Sequence, residues 1–118
     1  DVIRKVAAEQ SCILVGRCAD YILREDRDCI SVFISASPED RIKRVMGYNN
    51  ISEKEAEDSI HKADKSRASY YNYYTDKNWG AAESYDLCIN SSLYGLEQTT
   101  EFIRTFVELS QKRNEAKD

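Results

Sequence analysis

Glycine, proline and histidine are scarce in this chain of 118 residues: four glycines, one proline, one histidine. Gly16, Gly47, Gly80 and Gly95 stand far apart. No G-x-x-x-x-G-K-[ST] motif or other glycine-rich loop is therefore present to cradle a phosphate through backbone N–H groups. His61 and the four cysteines, Cys12, Cys18, Cys29 and Cys88, match no zinc-ligand spacing. No apolar run approaches ~18 residues, which argues against a membrane-spanning helix. Basic residues are not in excess. The formal net charge is -4, which argues against a general nucleic-acid surface. No signal-peptide pattern, lipidation motif or internal repeat is visible.

Hydrophobic residues make up 42% of the chain and charged residues 32%, the balance of one soluble globular domain. Cys12, Cys29 and Cys88 lie in apolar runs, where cysteine behaves as a small hydrophobe. The expectation is buried, reduced thiols in a cytoplasmic protein. The chain opens DVIRKVAAEQ, without Met. Val2, Ile3, Val6 and Ala7 have helical spacing, with Asp1 as the only cap, so the stretch reads as the tail of a helix begun elsewhere.

Three apolar runs read as buried strands: SCILVG (11–16), ISVFISA (30–36) and DLCIN (86–90). Helical segments separate them. Ala19 to Arg24 forms a short one. Ser37-Pro38 opens another, with Ser as cap and Pro in the first turn, carrying Ile42, Val45 and Met46 and ending near Gly47. Ser52-x-x-Glu55 is a capping box that starts a longer helix through the 60s. The predicted hinge between the two spans Gly47 to Asn50. A last helix follows Gly95, with Leu96, Thr99, Ile103, Phe106 and Val107 on one face, and the polar tail from about 112 is expected to fray. Strands alternating with helices imply an α/β fold with a parallel sheet. The helix pair at about 38–75 is longer than a crossover requires and suits a lid over the carboxyl ends of the strands, where open α/β sheets bind ligands.

Arg17, directly after Gly16, is aimed at that crevice, with Asp20 one turn later. Arg41 and Arg44 share a helix face. Lys62, Asp64, Lys65 and Arg67 crowd the next helix. Convergent arginines suit phosphoryl oxygens because a guanidinium offers paired donors and keeps its charge. The same residues also suit solvated helix faces with local ion pairs. The run YYNYY (70–74) suits packing, and Asp86 a strand start.

Taken together, VGRCAD after a strand, VFISASPEDRIKRVM, ADKSR and DLCINSSLYGLEQ resemble the cytidylate kinase-like family of P-loop nucleoside monophosphate kinases. The family pattern falls on Gly16-Arg17, Ser37 to Arg44, Asp64 to Arg67 and Asp86 to Ser91. Tyr70 to Tyr74 and Trp79-Gly80 look like the cytidylate kinase-like branch. Cys18 stands where the standard enzymes have Asp, and Ile60 where their lid has Arg, so that Lys62 is left to supply that charge.

The resemblance implies a three-layer parallel sheet of strand order 2-3-1-4-5, to which this chain contributes strands 3, 4 and 5. Strand 11–15 is then expected to pair with a segment outside residues 1–118, and the chain to be the C-terminal part of a single kinase-like domain. The implied activity is transfer of the ATP γ-phosphoryl group to CMP or a related nucleotide, with Mg²⁺. ATP and Mg²⁺ would be bound mainly by that outside segment and its phosphate loop. Arg41 and Arg44 would reach the ATP phosphates and the transferring group. Arg17, Asp20, Lys62, Asp64 and Arg67 would hold the acceptor. Small-molecule nucleotides are the expected partners, without nucleic acid or membrane; oligomeric state is left open. The alternative is a non-catalytic nucleotide-sensing or interaction domain on the same scaffold.

Overall fold

The computed structural model describes residues 2–16 and 18–116. Its elements run α1 (Val2–Glu9), α2 (Ala19–Ile22), β1 (Val32–Ser35), α3 (Pro38–Asn49), α4 (Glu53–Tyr74), a 3₁₀ turn (Ala82–Ser84), β2 (Leu87–Asn90) and α5 (Gly95–Ala116). The result is a mixed α/β domain, mostly helical. β1 and β2 pair in parallel, with Val32 opposite Leu87 and Ser35 opposite Asn90. Among the described residues no helix is long and apolar enough to cross a membrane.

Local chemistry sets the helix ends. The Ser37 side chain accepts from the Asp40 N–H at 3.2 Å, and Pro38 needs no hydrogen-bond partner for its nitrogen. The Ser52–Glu55 capping box is reciprocal, with both bonds at 3.2 Å. Gly47 does not interrupt α3. The helix runs through it to Asn49 and closes at Asn50, φ 53°, whose N–H donates to the Met46 carbonyl at 2.9 Å. The predicted four-residue hinge thus shrinks to one left-handed residue, a conformation asparagine tolerates better than most. The tail also differs from expectation. α5 is helical to Ala116, and Asn114 Nδ2 donates to the Arg27 carbonyl at 2.7 Å, tying the last turn to the loop after α2.

Two of the three predicted strands form. Residues 11–15 join no sheet among the described residues, and their side chains are exposed, Ile13 at 93%. A strand exists through its neighbour's N–H and C=O groups, and β2 supplies these to only one edge of β1. Apolar composition identified the segment as hydrophobic but could not specify a partner. Burial is also lighter than predicted. Cys12 and Cys88 are exposed, whereas Cys18, in the left-handed turn before α2, is buried; all four thiols are free. Of the predicted α5 face, Thr99 is buried, Ile103, Phe106 and Val107 are half-buried, and Leu96 is exposed. The chain exposes 9132 Å². A compact monomer of this length exposes about 6,500 Å², so large apolar faces of the sheet and helices stand uncovered.

Candidate functional site

α3 and α4 form an antiparallel hairpin whose inner faces are set by helical spacing. On α4, Ala56, Ile60, Asp64, Arg67 and Tyr71 recur every three or four residues and so lie on one stripe. Ala56 and Tyr71 are buried at its two ends. On α3, Arg41 and Arg44 lie one turn apart. Arg41 meets Asp64 in a two-pronged pair, Nη1 to Oδ2 at 2.7 Å and Nη2 to Oδ1 at 2.6 Å. Each side chain keeps about a third of its exposure, 34% and 28%. The hydrogen bonds from Arg41 hold the Asp64 carboxyl below its ordinary range, against a smaller opposing effect of burial. The same bonds push the Arg41 guanidinium upward. The pair is therefore fully charged.

Beside this pair opens a crevice of about 320 Å³, lined by Arg41, Arg44, Asp64 and Arg67 from the hairpin and by Ser35 and Ser91 from the strand ends. It lies at the carboxyl ends of both strands. Ser91, 1% exposed, fixes that end: its N–H and Oγ both donate to the Ser35 carbonyl at 2.8 Å. The next residue, Ser92, accepts from the Ser37 N–H at 2.8 Å and so holds the start of α3 against the sheet. Arg44 and Arg67 carry no ion pair among the described residues. Three guanidiniums face the one Asp64 carboxylate, which the Arg67 charge also draws down, so the lining keeps a net positive charge. Planar guanidinium donors suit an oxyanion with several oxygens, such as a phosphoryl group.

Phe33, Ile34, Ala36 and Trp79 complete the lining. Ring contacts continue from the two aromatic residues away from the crevice: Trp79 to Phe33 at 5.3 Å, Phe33 to Tyr85 at 4.9 Å, and Tyr85 to Tyr71 at 6.0 Å. Tyr71 ends this row by donating its hydroxyl to Asp20 Oδ2 at 2.7 Å. Burial, with the Asp20 carboxylate beside it, pushes the Tyr71 phenol far up, so it stays protonated. Of the run YYNYY, only Tyr71 braces α4. Tyr70, Tyr73 and Tyr74 touch one another at 4.7 and 4.8 Å and face solvent.

The structure separates some of the residues that the sequence grouped. Arg41, Arg44, Asp64 and Arg67 converge. Lys62, two residues from Asp64 and so on another side of α4, is exposed and does not line the crevice. Asp20 is at the opposite end of the strands, in a second cavity of about 340 Å³ with Ser31 and Asp86. There it also accepts from Ser31 Oγ at 3.2 Å and the Tyr21 N–H at 2.9 Å. Arg17 lies outside the described residues. Burial raises the Cys18 and Cys29 thiols, and nearby carboxylates add to the effect, so neither is poised as a thiolate nucleophile. Ser91, Ser92 and Trp79 were not singled out from the sequence as site residues. Only the Asp86-to-Ser91 and Trp79-Gly80 patterns pointed toward them.

A parallel strand pair with an arginine-lined crevice at its carboxyl ends, flanked by a helical hairpin, makes this a mixed α/β domain. The chain belongs to the cytidylate kinase-like family, whose model matches residues 1–93. Family membership places it among nucleotide kinase-related proteins. No curated protein matches it. Among solved structures it is similar to an uncharacterized protein from Eubacterium ventriosum ATCC 27560, at 35% identity and a TM-score of 0.88 over 91% of this chain. The chain spans 61% of the length of that protein.

Proposed function

We propose that the chain forms the lid and part of the nucleotide site of a nucleoside monophosphate kinase that transfers the ATP γ-phosphoryl group to CMP or a related nucleotide. The observation that carries this reading is a crevice at the carboxyl ends of parallel strands lined by Arg44 and Arg67, which make no ion pair among the described residues. Phosphoryl transfer asks a protein mainly for positioning and for stabilisation of charge on the transferring oxygens. Arg44 would meet the phosphoryl oxygens of ATP and the transferring group. Arg67 would hold the acceptor phosphate. Arg41 and Asp64 fix the hairpin that presents them, and Arg41 joins the site only by exchanging Asp64 for a phosphoryl group. Arg17, by its place after Gly16, is proposed for the acceptor.

Asp64 is the one carboxylate that the described residues contribute to this crevice, and Arg41 engages it. The described residues also hold no cluster of three metal-ligating side chains. They therefore do not fit a protein-held Mg²⁺ site. In this proposal Mg²⁺ arrives with the ATP phosphates, and the glycine-rich loop belongs to a segment outside residues 1–118. The fold of the whole would be the parallel sheet of the P-loop kinases, in the cytoplasm.

Phosphoryl transfer from ATP to CMP, followed as ADP release by the full-length protein, tests the reading. ADP formation that depends on CMP and falls at least tenfold in Arg44→Ala supports it. The second reading is a non-catalytic nucleotide-sensing or interaction domain on the same scaffold. Tight binding of CMP or ATP without turnover would select that one.

A further inference from the structure

The aromatic side of the crevice has no part in holding phosphoryl oxygens. A tetrahedral anion needs the guanidiniums and has no use for an indole, yet Trp79, the one tryptophan in the chain, lines the same cavity as Arg44 and Arg67. We infer that Trp79, backed by Phe33, is the platform on which the base of the bound nucleotide stacks; the inference rests on the nucleotide reading of this crevice proposed above.

Trp79 is held in place before any ligand arrives. Its backbone N–H donates to Asn72 Oδ1 at 2.8 Å, near the end of α4. The following residue, Gly80, donates its N–H to the Tyr85 hydroxyl at 3.1 Å. Gly80 has φ 77°, and a Cβ there would sit 3.4 Å from Phe33 Cζ, so the turn is pressed against the Phe33 ring. The Trp79 and Phe33 rings stand at 84°. A perpendicular pair leaves at least one face of each ring untouched by the other. Tyr85 and Gly80 crowd Phe33 further, whereas Phe33 is the only ring that contacts Trp79 among the described residues.

Trp79 is half-buried, and its indole N–H has no hydrogen-bond partner among the described residues. Indoles that serve packing alone bury their faces and give that donor a partner. This one lines a cavity whose opposite wall carries Arg41, Arg44 and Arg67, and its donor is left for a ligand. A nucleotide offers the complement: anionic oxygens at one end and, at the other, a planar base with ring-nitrogen and carbonyl acceptors. Stacking on an aromatic side chain tolerates any base, because every base has a π face. Trp79 therefore supplies affinity for nucleotides over inorganic phosphates, and the indole N–H favours a base that places an acceptor at its edge.

Binding of CMP, ATP and inorganic tripolyphosphate to the full-length protein and to its Trp79→Leu and Trp79→Phe variants tests this. Tripolyphosphate reads the phosphate-binding groups without a base. The expected result is a loss of about tenfold or more in CMP or ATP affinity for Trp79→Leu, the scale of one stacked base, with tripolyphosphate unchanged and Trp79→Phe restoring most of the loss. The nucleotide, and not tripolyphosphate, should also quench the fluorescence component that disappears in Trp79→Phe. Equal losses for nucleotide and tripolyphosphate would make Trp79 a packing residue and overturn the platform. So would unchanged nucleotide affinity in both variants. Failure of the unmodified protein to bind any of the three ligands overturns the phosphoryl crevice itself, and the platform with it. Binding of tripolyphosphate without extra affinity for nucleotides overturns only the platform.

Discussion

The Arg41–Asp64 pair should couple α3 to α4 by about 1 kcal/mol, and a double-mutant cycle can measure it. The pair joins residues 23 apart in sequence through two hydrogen bonds at 2.6–2.7 Å. Two unit charges about 4 Å apart attract by about 4 kcal/mol at the effective dielectric near a protein surface. Most of that is offset by lost hydration and side-chain freedom, so exposed pairs retain about 0.2–1 kcal/mol. Parallel charge-assisted bonds and partial burial place this pair at the top of that range. The cycle uses Asp64→Asn, Arg41→Met and the double variant in the full-length protein, with urea unfolding as the assay. The coupling should shrink in 1 M salt, where the screening length is about 3 Å. Its pH dependence has a definite sign. Folding lowers the Asp64 carboxyl below its ordinary 3.8, so the stabilisation is fully present above 3.8 and disappears as pH falls below it toward the folded value. A coupling within the 0.3–0.5 kcal/mol scatter of independent sites would refute the clamp.

Arg44→Ala and Arg67→Ala should each weaken tripolyphosphate binding by about 10- to 100-fold, the scale of one hydrogen bond to a charged group, whereas Lys62→Ala should leave it unchanged; isothermal titration separates them. Tyr71→Phe removes the 2.7 Å bond to Asp20 and should cost about 1.5 kcal/mol in urea unfolding. Folding raises the Tyr71 phenol above its ordinary 10.0, so its contribution holds below pH 10.0 and fades above it, and the variant should show a flatter alkaline limb in a stability–pH curve. Gly80→Ala places a Cβ at φ 77° against Phe33 and should destabilise by about 1–2 kcal/mol, with a change in the Trp79 near-ultraviolet circular dichroism as the local readout.

Features that depend on a few neighbouring residues were legible in the sequence. Ser37-Pro38 and Ser52-x-x-Glu55 specify helix starts through bonds that span three residues, and the structure has both. The convergence of Arg41, Arg44, Asp64 and Arg67 followed from helical spacing on two consecutive helices. Contacts between distant residues were not legible. Asp20 looked like a companion of Arg17, but its partner is Tyr71, 51 residues away. Nothing local distinguishes Tyr71 from its three neighbours; the signal was its place on the stripe that begins at Ala56. The segment 11–15 has strand composition, but pairing is a property of two segments, and composition reports on one. The position of Trp79 depends on Asn72, Tyr85 and Phe33 together, which no short pattern encodes.

The closed ends of α3 and α4 determine how the hairpin can move. Asn50 seals one helix, Ser52 caps the other, and Arg41–Asp64 joins them toward the root of the arm. Flexure at the tip would break both caps. The compliant root is at residues 36–37, where a single side-chain bond, Ser37 N–H to Ser92 Oγ, holds the arm; at 75–78, Thr75, Lys77 and Asn78 are tied to Tyr71 and Ser84, and this end serves as the fulcrum. With a rise of 1.5 Å per residue, α4 is a lever about 32 Å long from Tyr74 to Glu53, and Arg67 lies only about 10 Å from its fulcrum. A shift at the crevice is therefore magnified about threefold at the far end. A rotation of about 10° moves that end by about 5–6 Å. A distance label near residue 51 would report ligand arrival far more sensitively than one beside the arginines that bind it.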